Sequence, residues 1–432
     1  MTMLAPSIRP TRKRHIMLAL VAFATALNYL DRTLMGVAAP SMSRELGLSP
    51  AEMGLVFSAF SWSYALAQLP GGVFLDRFGT RLTYALSLVV WSACTVSQGL
   101  VRSLWALIAV RLGLGVAEAP CFPANSRVLV AWFPRGERAR ANSIYSVGMY
   151  FGIAFLSPLL FWMAGHWGWR SLFWIVGSVG IAYGFIWHRM YRDPADHPGV
   201  NDAELALIRE DGGITQAAAP RPFRWDDVGW LLSQRSILGA AIGQFATNST
   251  LVFFLTWFPS YLTTERHMDW LKSGVFAMVP FMAASLGVLS GGQLSDRLVR
   301  GGVSLAVARK VPIIAGLMMS MLIVLAIWLP RGATGDMAVI AVMSVAFFGQ
   351  GMSNLGWTLI SEIAPGSLVG LTGGLFNLCT NLAGIVTPIV IGLTVGRTGS
   401  FVSGLAYIGA MAALGALSYA FVVNKVERLV RD

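Results

Sequence analysis

The sequence predicts an all-α membrane protein of twelve spanning helices, arranged as two six-helix bundles around a central cavity. Three observations carry that reading. Only 12% of the 432 residues are charged and 55% are hydrophobic, with a mean hydropathy of +0.63, whereas a soluble domain carries about 25% charged residues. Twelve apolar stretches each approach the roughly 20 residues that a helix needs to cross a bilayer core. The string GGxxxDR begins at Gly71 and again at Gly291, 220 residues apart and after the second and eighth stretches, which marks an internal repeat.

Taken in order, the first span (16–38) follows a basic arm, Arg9 to Arg14, in the manner of a signal peptide. Its apolar run continues to about Ala39 with no convincing cleavage pattern, so it is kept as a helix. The second span (51–73) runs into "GGVFLDRFGTR", and the third (81–100) follows it. The fourth (103–124) contains "RLGLGVAEAPCFPA", and the fifth (141–164) and sixth (170–190) complete the first half. Residues 191–235 form the longest polar interval and read as a cytoplasmic linker with a short helix at Asp202–Glu210. The second half holds 236–262, 273–294 (running into "GGQLSDRLVRG"), 310–329, 337–360, 369–393 and 400–423. The expected organisation is therefore a bundle over 1–190, a linker over 191–235 and a second bundle over 236–432.

The net charge of +11 does not point to nucleic acid, because the arginines border apolar spans and form no basic block. With the N-terminus inside, the cytoplasmic segments hold 22 of the 32 lysines and arginines and the external loops hold seven. Both termini are therefore expected in the cytoplasm. Cys94, Cys121 and Cys379 lie in apolar segments without metal-ligand spacing, and the five histidines sit at span ends or in loops. No metal, cofactor or catalytic residue is expected. There is no GK dipeptide, hence no P-loop, and no HExxH, and one linker leaves no room for a nucleotide-binding domain. A membrane enzyme or primary pump is thereby disfavoured.

Arg32 and Arg111 fall inside predicted spans, where an ionisable group costs roughly 2.5–3.5 kcal/mol on insertion scales, and Arg127 falls where the helix of the fourth span continues. Tyr29 and Arg32 are three apart in "NYLDR" and share a face, and a guanidinium fork suits a carboxylate. Asp31 lies about 100° round the helix from Arg32, so the two cannot both point at one ligand. Glu118 is seven residues after Arg111 on nearly the same face. These arginines can bind an anion or form structural ion pairs with Asp31 and Glu118. The second half offers neutral groups instead: Gln244 and Asn248 on the seventh span, Asn354, Trp357 and Ser361 on the tenth, Asn377 and Asn381 on the eleventh. Amide and indole groups can hydrogen-bond hydroxyls without adding charge. Tyr64 and Tyr150 are candidate lining residues. The asymmetry points to a ligand with an anionic end at Arg32 and a polyol end in the second half. Asp76, Arg77 and Arg81 in the first GGxxxDR segment, with Asp296 and Arg297 in the second, are candidate gating residues; Asp76 could hold a helix N-terminus or an arginine such as Arg138 or Arg140.

Twelve spans, a central linker and the repeated GGxxxDR resemble the major facilitator superfamily. "NYLDR", "RLGLGVAEAPCFPANSRVLVAWFP" and "ERARANSI" are similar to its anion:cation symporter family, and "HPGVNDAELALI" to the bacterial sugar-acid members of glucarate and galactonate type. The second loop copy departs from the family pattern after Arg297. The resemblance implies the major facilitator fold and alternating access, and it associates the acids at Asp31 and Glu118 with proton coupling. The expected protein is an inner-membrane H+-coupled symporter of an organic anion, a sugar acid first. An aromatic or short dicarboxylic acid, or anion exchange, is the alternative. Its expected partners are the small anion and membrane lipid, with a single chain sufficient for function.

Overall fold

The structure, a computed structural model, describes residues 10–210, 224–365 and 368–430. Every regular element among them is helical. The first half comprises α1 (Lys13–Leu46), α2 (Pro50–Gln98), α3 (Leu104–Glu118), α4 (Cys121–Trp132), α5 (Arg135–Trp167) and α6 (Trp169–Met190). The linker contains α7 (Asp202–Glu210), where the sequence places it, and α8 (Trp225–Ser233), which the polar composition of the interval concealed. The second half comprises α9 (Arg235–Thr256), the short α10 (Phe258–Ser260), α11 (Trp270–Arg300), α12 (Leu305–Met321), α13 (Ala333–Ser353), α14 (Gly356–Ile363), α15 (Val369–Thr398) and α16 (Val402–Leu417).

Among the described residues, nine helical runs are long and apolar enough to cross a membrane. The other three predicted spans, 51–73, 81–100 and 141–164, fall on α2 and α5. α2 carries two of them, because Gly79 at φ 74° interrupts the helix without ending it, a conformation that costs little only without a Cβ. Its start is fixed by Ser49 and Glu52, which form a reciprocal capping box with Pro50 at the first helical position.

Two spans that read as continuous are broken. The fourth divides into α3 and α4 at Ala119–Pro120, where proline supplies no amide to the helical ladder. The tenth divides into α13 and α14 at Asn354–Leu355, where the Asn354 N–H turns back to the Gly351 carbonyl at 3.2 Å in a tighter three-residue turn. Apolar periodicity survives such a break, so the sequence does not reveal it. The fourth and tenth spans are counterparts in the repeat.

In the first half α1 packs on α5 and α6, and α2 on α3 and α6; in the second α9 packs on α15 and α16, α11 on α13, and α12 on α13 and α16. The halves meet through α2 on α15 and α5 on α11. At the end bearing the C-terminal part of α1, one hydrophobic cluster is shared by both halves, joining Leu34, Phe57, Ile153 and Phe173 to Phe254, Phe281, Phe347 and Ile408. At the opposite end the apolar core is split. One part gathers Met17, Trp91, Trp132 and Trp187, and the other Ile237, Leu317, Ile360 and Tyr419. Backbones interlock at the shared end: a Cβ on Gly36 would collide with the Leu255 carbonyl, and one on Gly54 with that of Pro388. At the split end Gly72, Gly292, Gly370 and Gly374 face open space.

The start of α1 is held by the linker. Arg12 precedes the helix in the left-handed region (φ 58°) and offers no capping side chain. Glu204 of α7 substitutes for it, accepting the backbone N–H of Lys13 (3.0 Å) and Arg14 (3.2 Å) and the Thr11 hydroxyl. Arg14 then bridges Glu204 at 3.3 Å and Glu137 of α5 at 2.9 Å.

Candidate functional site

Arg32 of α1 and Glu118 at the end of α3 form an ion pair at the broken fourth span. Arg32 Nε donates to Glu118 Oε1 at 3.0 Å, and Nη2 donates to the same oxygen. Three rings surround the guanidinium, with centroids 5.0, 4.8 and 5.0 Å from Cζ: Tyr29, Phe60 and Tyr64. Tyr64 and Phe60 are themselves stacked at 5.3 Å. Such a cage holds a desolvated cation at about 2 kcal/mol for a good ring contact. Glu118 is fully buried, and its Oε2 has no hydrogen-bond partner among the described residues. Half of the carboxylate therefore remains available to a proton or a donor. Asn28, one turn before Arg32, is buried beside the Glu118 carboxylate, with neither amide atom in a hydrogen bond of ordinary geometry.

Asp31 is buried and turned away from Arg32, beside Thr95 and Trp91 of α2, with its Oδ1 unpartnered. Arg111 also lies against α2. Its Nε donates to the Val56 carbonyl and its Nη2 to that of Phe57, both at 3.3 Å, while Nη1 has no partner. Its Cζ is 5.4 Å from the Phe60 ring, so Phe60 touches both arginines. The partner that the spacing offered to Arg111, Glu118, is taken by Arg32 from a different helix.

The second half presents uncharged groups. Gln244 of α9 is buried with an unpartnered Oε1, and Asn248 donates from Nδ2 to the Thr380 carbonyl at 2.6 Å, tying α9 to α15. Asn354 sits half-buried at the α13–α14 break, and Trp357 follows it, its ring edge-on to Phe376 at 4.9 Å. Asn377 of α15 is half-buried and its carbonyl accepts from Asn381 Nδ2 at 2.9 Å. Gln350 is buried beside Tyr150 of α5 and leaves its Oε1 unpartnered. Buried polar atoms are normally hydrogen-bonded, and Asn28, Glu118, Gln244 and Gln350 each leave at least one such atom unbonded. Asn28, Phe60 and Gln350 were not singled out by the sequence. Each stands four residues from one that was (Arg32, Tyr64 and Asn354), and that helical spacing is the signal that finds them.

The repeated loop segments sit at the split end. Asp76 is exposed and pairs with Arg127 of α4 at 3.2 Å, and Arg127 also donates to the Leu75 carbonyl. Arg138 is committed to the end of α4, donating to the Val130 and Phe133 carbonyls. Arg81 donates to the His188 carbonyl at the end of α6 at 2.8 Å, and Arg77 lies against the Phe78 ring. In the second copy Asp296 faces Arg309 of α12 at 3.6 Å, and Arg309 holds Glu362 of α14 through Nε and Nη2. Arg297 is exposed.

The family model described as Major Facilitator Superfamily matches residues 21–388. The D-galactonate transporter of Escherichia coli O6:H1 is 43% identical over 429 residues, covering 98% of this chain and 98% of that protein. The probable galactarate/D-glucarate transporter GudP of Escherichia coli (strain K12) is 40% identical over 432 residues, covering 97% of this chain and 95% of that protein. In three dimensions the chain resembles a bacterial homologue of the human lysosomal transporter Spinster in an inward-facing and occupied conformation. The TM-score is 0.69 over 95% of this chain and 96% of that one, with 19% identity, a likeness of fold alone.

Proposed function

The chain belongs to the major facilitator superfamily, and from that premise we propose that it is a proton-coupled symporter importing a sugar acid, an aldonate or aldarate, by alternating access. It is a transporter and not an enzyme, as its relatives named for galactonate, galactarate and glucarate are. In this reading twelve spans form two six-helix bundles in a bacterial inner membrane, with both termini and the linker in the cytoplasm. The shared core then seals the external end, and the split end opens inward.

The observation that carries the reading is the Arg32–Glu118 pair with one carboxylate oxygen unbonded. A substrate carboxylate competes with Glu118 for Arg32. A proton on Glu118 removes the charge that holds the guanidinium and frees its fork for the anion, while loss of the anion returns Arg32 to Glu118 and favours release of the proton. Proton and substrate occupancies are thus linked through one arginine, which is what symport requires. Asp31, about 100° round α1 from Arg32 and next to α2, is a second protonation site in this scheme. Asn354, Trp357, Gln244 and Asn377 read the hydroxyls of the polyol end. The Asp76–Arg127 and Asp296–Arg309–Glu362 contacts are made and broken as the inner end opens and closes.

Uptake of radiolabelled D-galactonate into proteoliposomes under an inward proton gradient tests the assignment. Arg32→Ala is expected to lower saturable uptake about a hundredfold, the scale of a lost charge-assisted fork, with the protein still folded in the membrane. Undiminished uptake by that variant would overturn the binding role of Arg32.

A further inference from the structure

A basic cavity lies at the start of α1, lined by none of the residues around the Arg32–Glu118 pair. The first turns of α1 (Lys13, Ile16, Met17), the end of α6 (Arg189, Met190) and the segment that follows (Arg192, His197, Pro198) enclose a cavity of about 260 Å³. Its polar wall is cationic, with Lys13, Arg189 and Arg192 beside His197, and no carboxylate lines it. Among the described residues neither Lys13 nor Arg189 is in an ion pair. The buried acid of the neighbouring linker helix, Glu204, is already committed to the α1 N-terminus and Arg14. Asp193, at the start of the same segment, accepts the Tyr191 hydroxyl at 3.0 Å.

The cavity is also built, not merely charged. His197 Nδ1 accepts the Gly199 N–H at 3.1 Å, and its ring stands edge-on to the buried Trp132. The Tyr183 hydroxyl donates to the Leu20 carbonyl at 2.7 Å, and its ring meets Phe23 at 4.7 Å, so α6 is sealed to α1 beyond the cavity. Its apolar wall continues outward. Ile16 and Phe23 are seven apart on one face of α1, Ile186 and Met190 four apart on one face of α6, and all four are exposed. Phe23 stands about 10 Å along the helix from Ile16.

We propose that this groove binds an anionic phospholipid, its phosphate among Lys13, Arg189 and Arg192 and its chains along the Ile16–Phe23 and Ile186–Met190 ridges. Free phosphate shares the headgroup's charge but uses neither ridge, so charge complementarity and the two exposed ridges together select the lipid. Basic pockets between spanning helices take such headgroups at about a fivefold gain per cation.

The test titrates the purified full chain in neutral detergent with phosphatidylglycerol, with phosphatidylcholine of the same chains and with inorganic phosphate, and reads bound lipid by native mass spectrometry. Phosphatidylglycerol is expected to saturate one site and phosphatidylcholine to bind about tenfold or more weakly. The double variant Lys13→Gln/Arg189→Gln should bind phosphatidylglycerol about 25-fold more weakly. The pair Arg300→Gln/Arg428→Gln, which removes the same charge from exposed positions elsewhere at the same end of the bundle, should leave binding within about twofold, because charges beyond a Debye length are screened. Three results would overturn the proposal: equal binding of the two lipids, equal loss in both double variants, or displacement of phosphatidylglycerol by equimolar phosphate.

Discussion

The two halves of the chain carry the same device and use it differently. Each breaks the fourth of its six predicted helices, the first half at Ala119–Pro120 and the second at Asn354–Leu355. The first break is flanked by Glu118 in an ion pair with a ring-caged Arg32, with Asp31 and Arg111 buried nearby. The second is flanked by Gln350, Asn354 and Trp357, and the helices around it add Gln244 and Asn377, all neutral. The second half has a buried ion pair of its own, Arg266 with Asp336 at 3.0 Å, but it lies at the start of α13 and not at the break. In the proposed scheme, charge at only one of the two breaks fixes which end of an asymmetric ligand goes where, and it leaves the neutral groups at the other to read hydroxyl positions.

If the first half does the charge chemistry, its largest breakage is Glu118→Gln. The amide cannot take part in proton exchange, and it no longer holds Arg32 as an ion pair. Proton-driven accumulation of D-galactonate in proteoliposomes is expected to vanish, while exchange of labelled for unlabelled substrate across the same membrane persists. Accumulation at the wild-type level would remove Glu118 from coupling, and loss of exchange as well would make it a plain binding residue.

Sequence alone resolved this division in part. The buried charges of the first half stand out in any apolar stretch, so Arg32, Asp31, Arg111 and Glu118 were visible, as was the contrast with the amides of the second half. The pairing was not, since helical spacing relates only residues on one helix. It offered Glu118 to Arg111, while the structure gives Glu118 to Arg32, 86 residues away. Phe60 was hidden for a different reason: an apolar ring in an apolar span is indistinguishable from packing until two guanidinium groups are found against it. The helix breaks were equally silent, because a proline or an asparagine inside a span is common and only the local hydrogen bonds show which one interrupts the helix.

The second half offers a smaller effect that sharpens the contrast. Replacing Asn354 by alanine removes hydrogen-bonding capacity without touching charge. The apparent KM for D-galactonate should rise about fivefold, the scale of one net hydrogen bond of about 1 kcal/mol. Glycolate, with the same carboxylate and a single hydroxyl, should inhibit that uptake equally well in variant and wild type. A parallel loss of glycolate inhibition would mean that Asn354 senses the anionic end, and the division of labour between the halves would fail.

The smallest effect concerns how each half is fastened at the split end. The second half opens at Arg235 with no side-chain cap on α9 and is braced instead by Arg309 between Asp296 and Glu362. The first half depends on Glu204, an acid that reaches α1 from the linker. Burial pushes that carboxyl up, but the Thr11 hydroxyl and the Lys13 and Arg14 amides outweigh it and hold the group below its ordinary range. A depressed folded value means stability that is fully present above the unfolded carboxyl's pKa, about 4.3, and is lost as pH falls through the folded value. Glu204→Gln should therefore cost about 1 kcal/mol at neutral pH, the scale of a helix cap. Thermal unfolding of the two proteins in detergent should converge only when the pH is taken well below 4.3. A difference that stayed constant into strong acid would mean that Glu204 contributes shape to the α1 start and not charge.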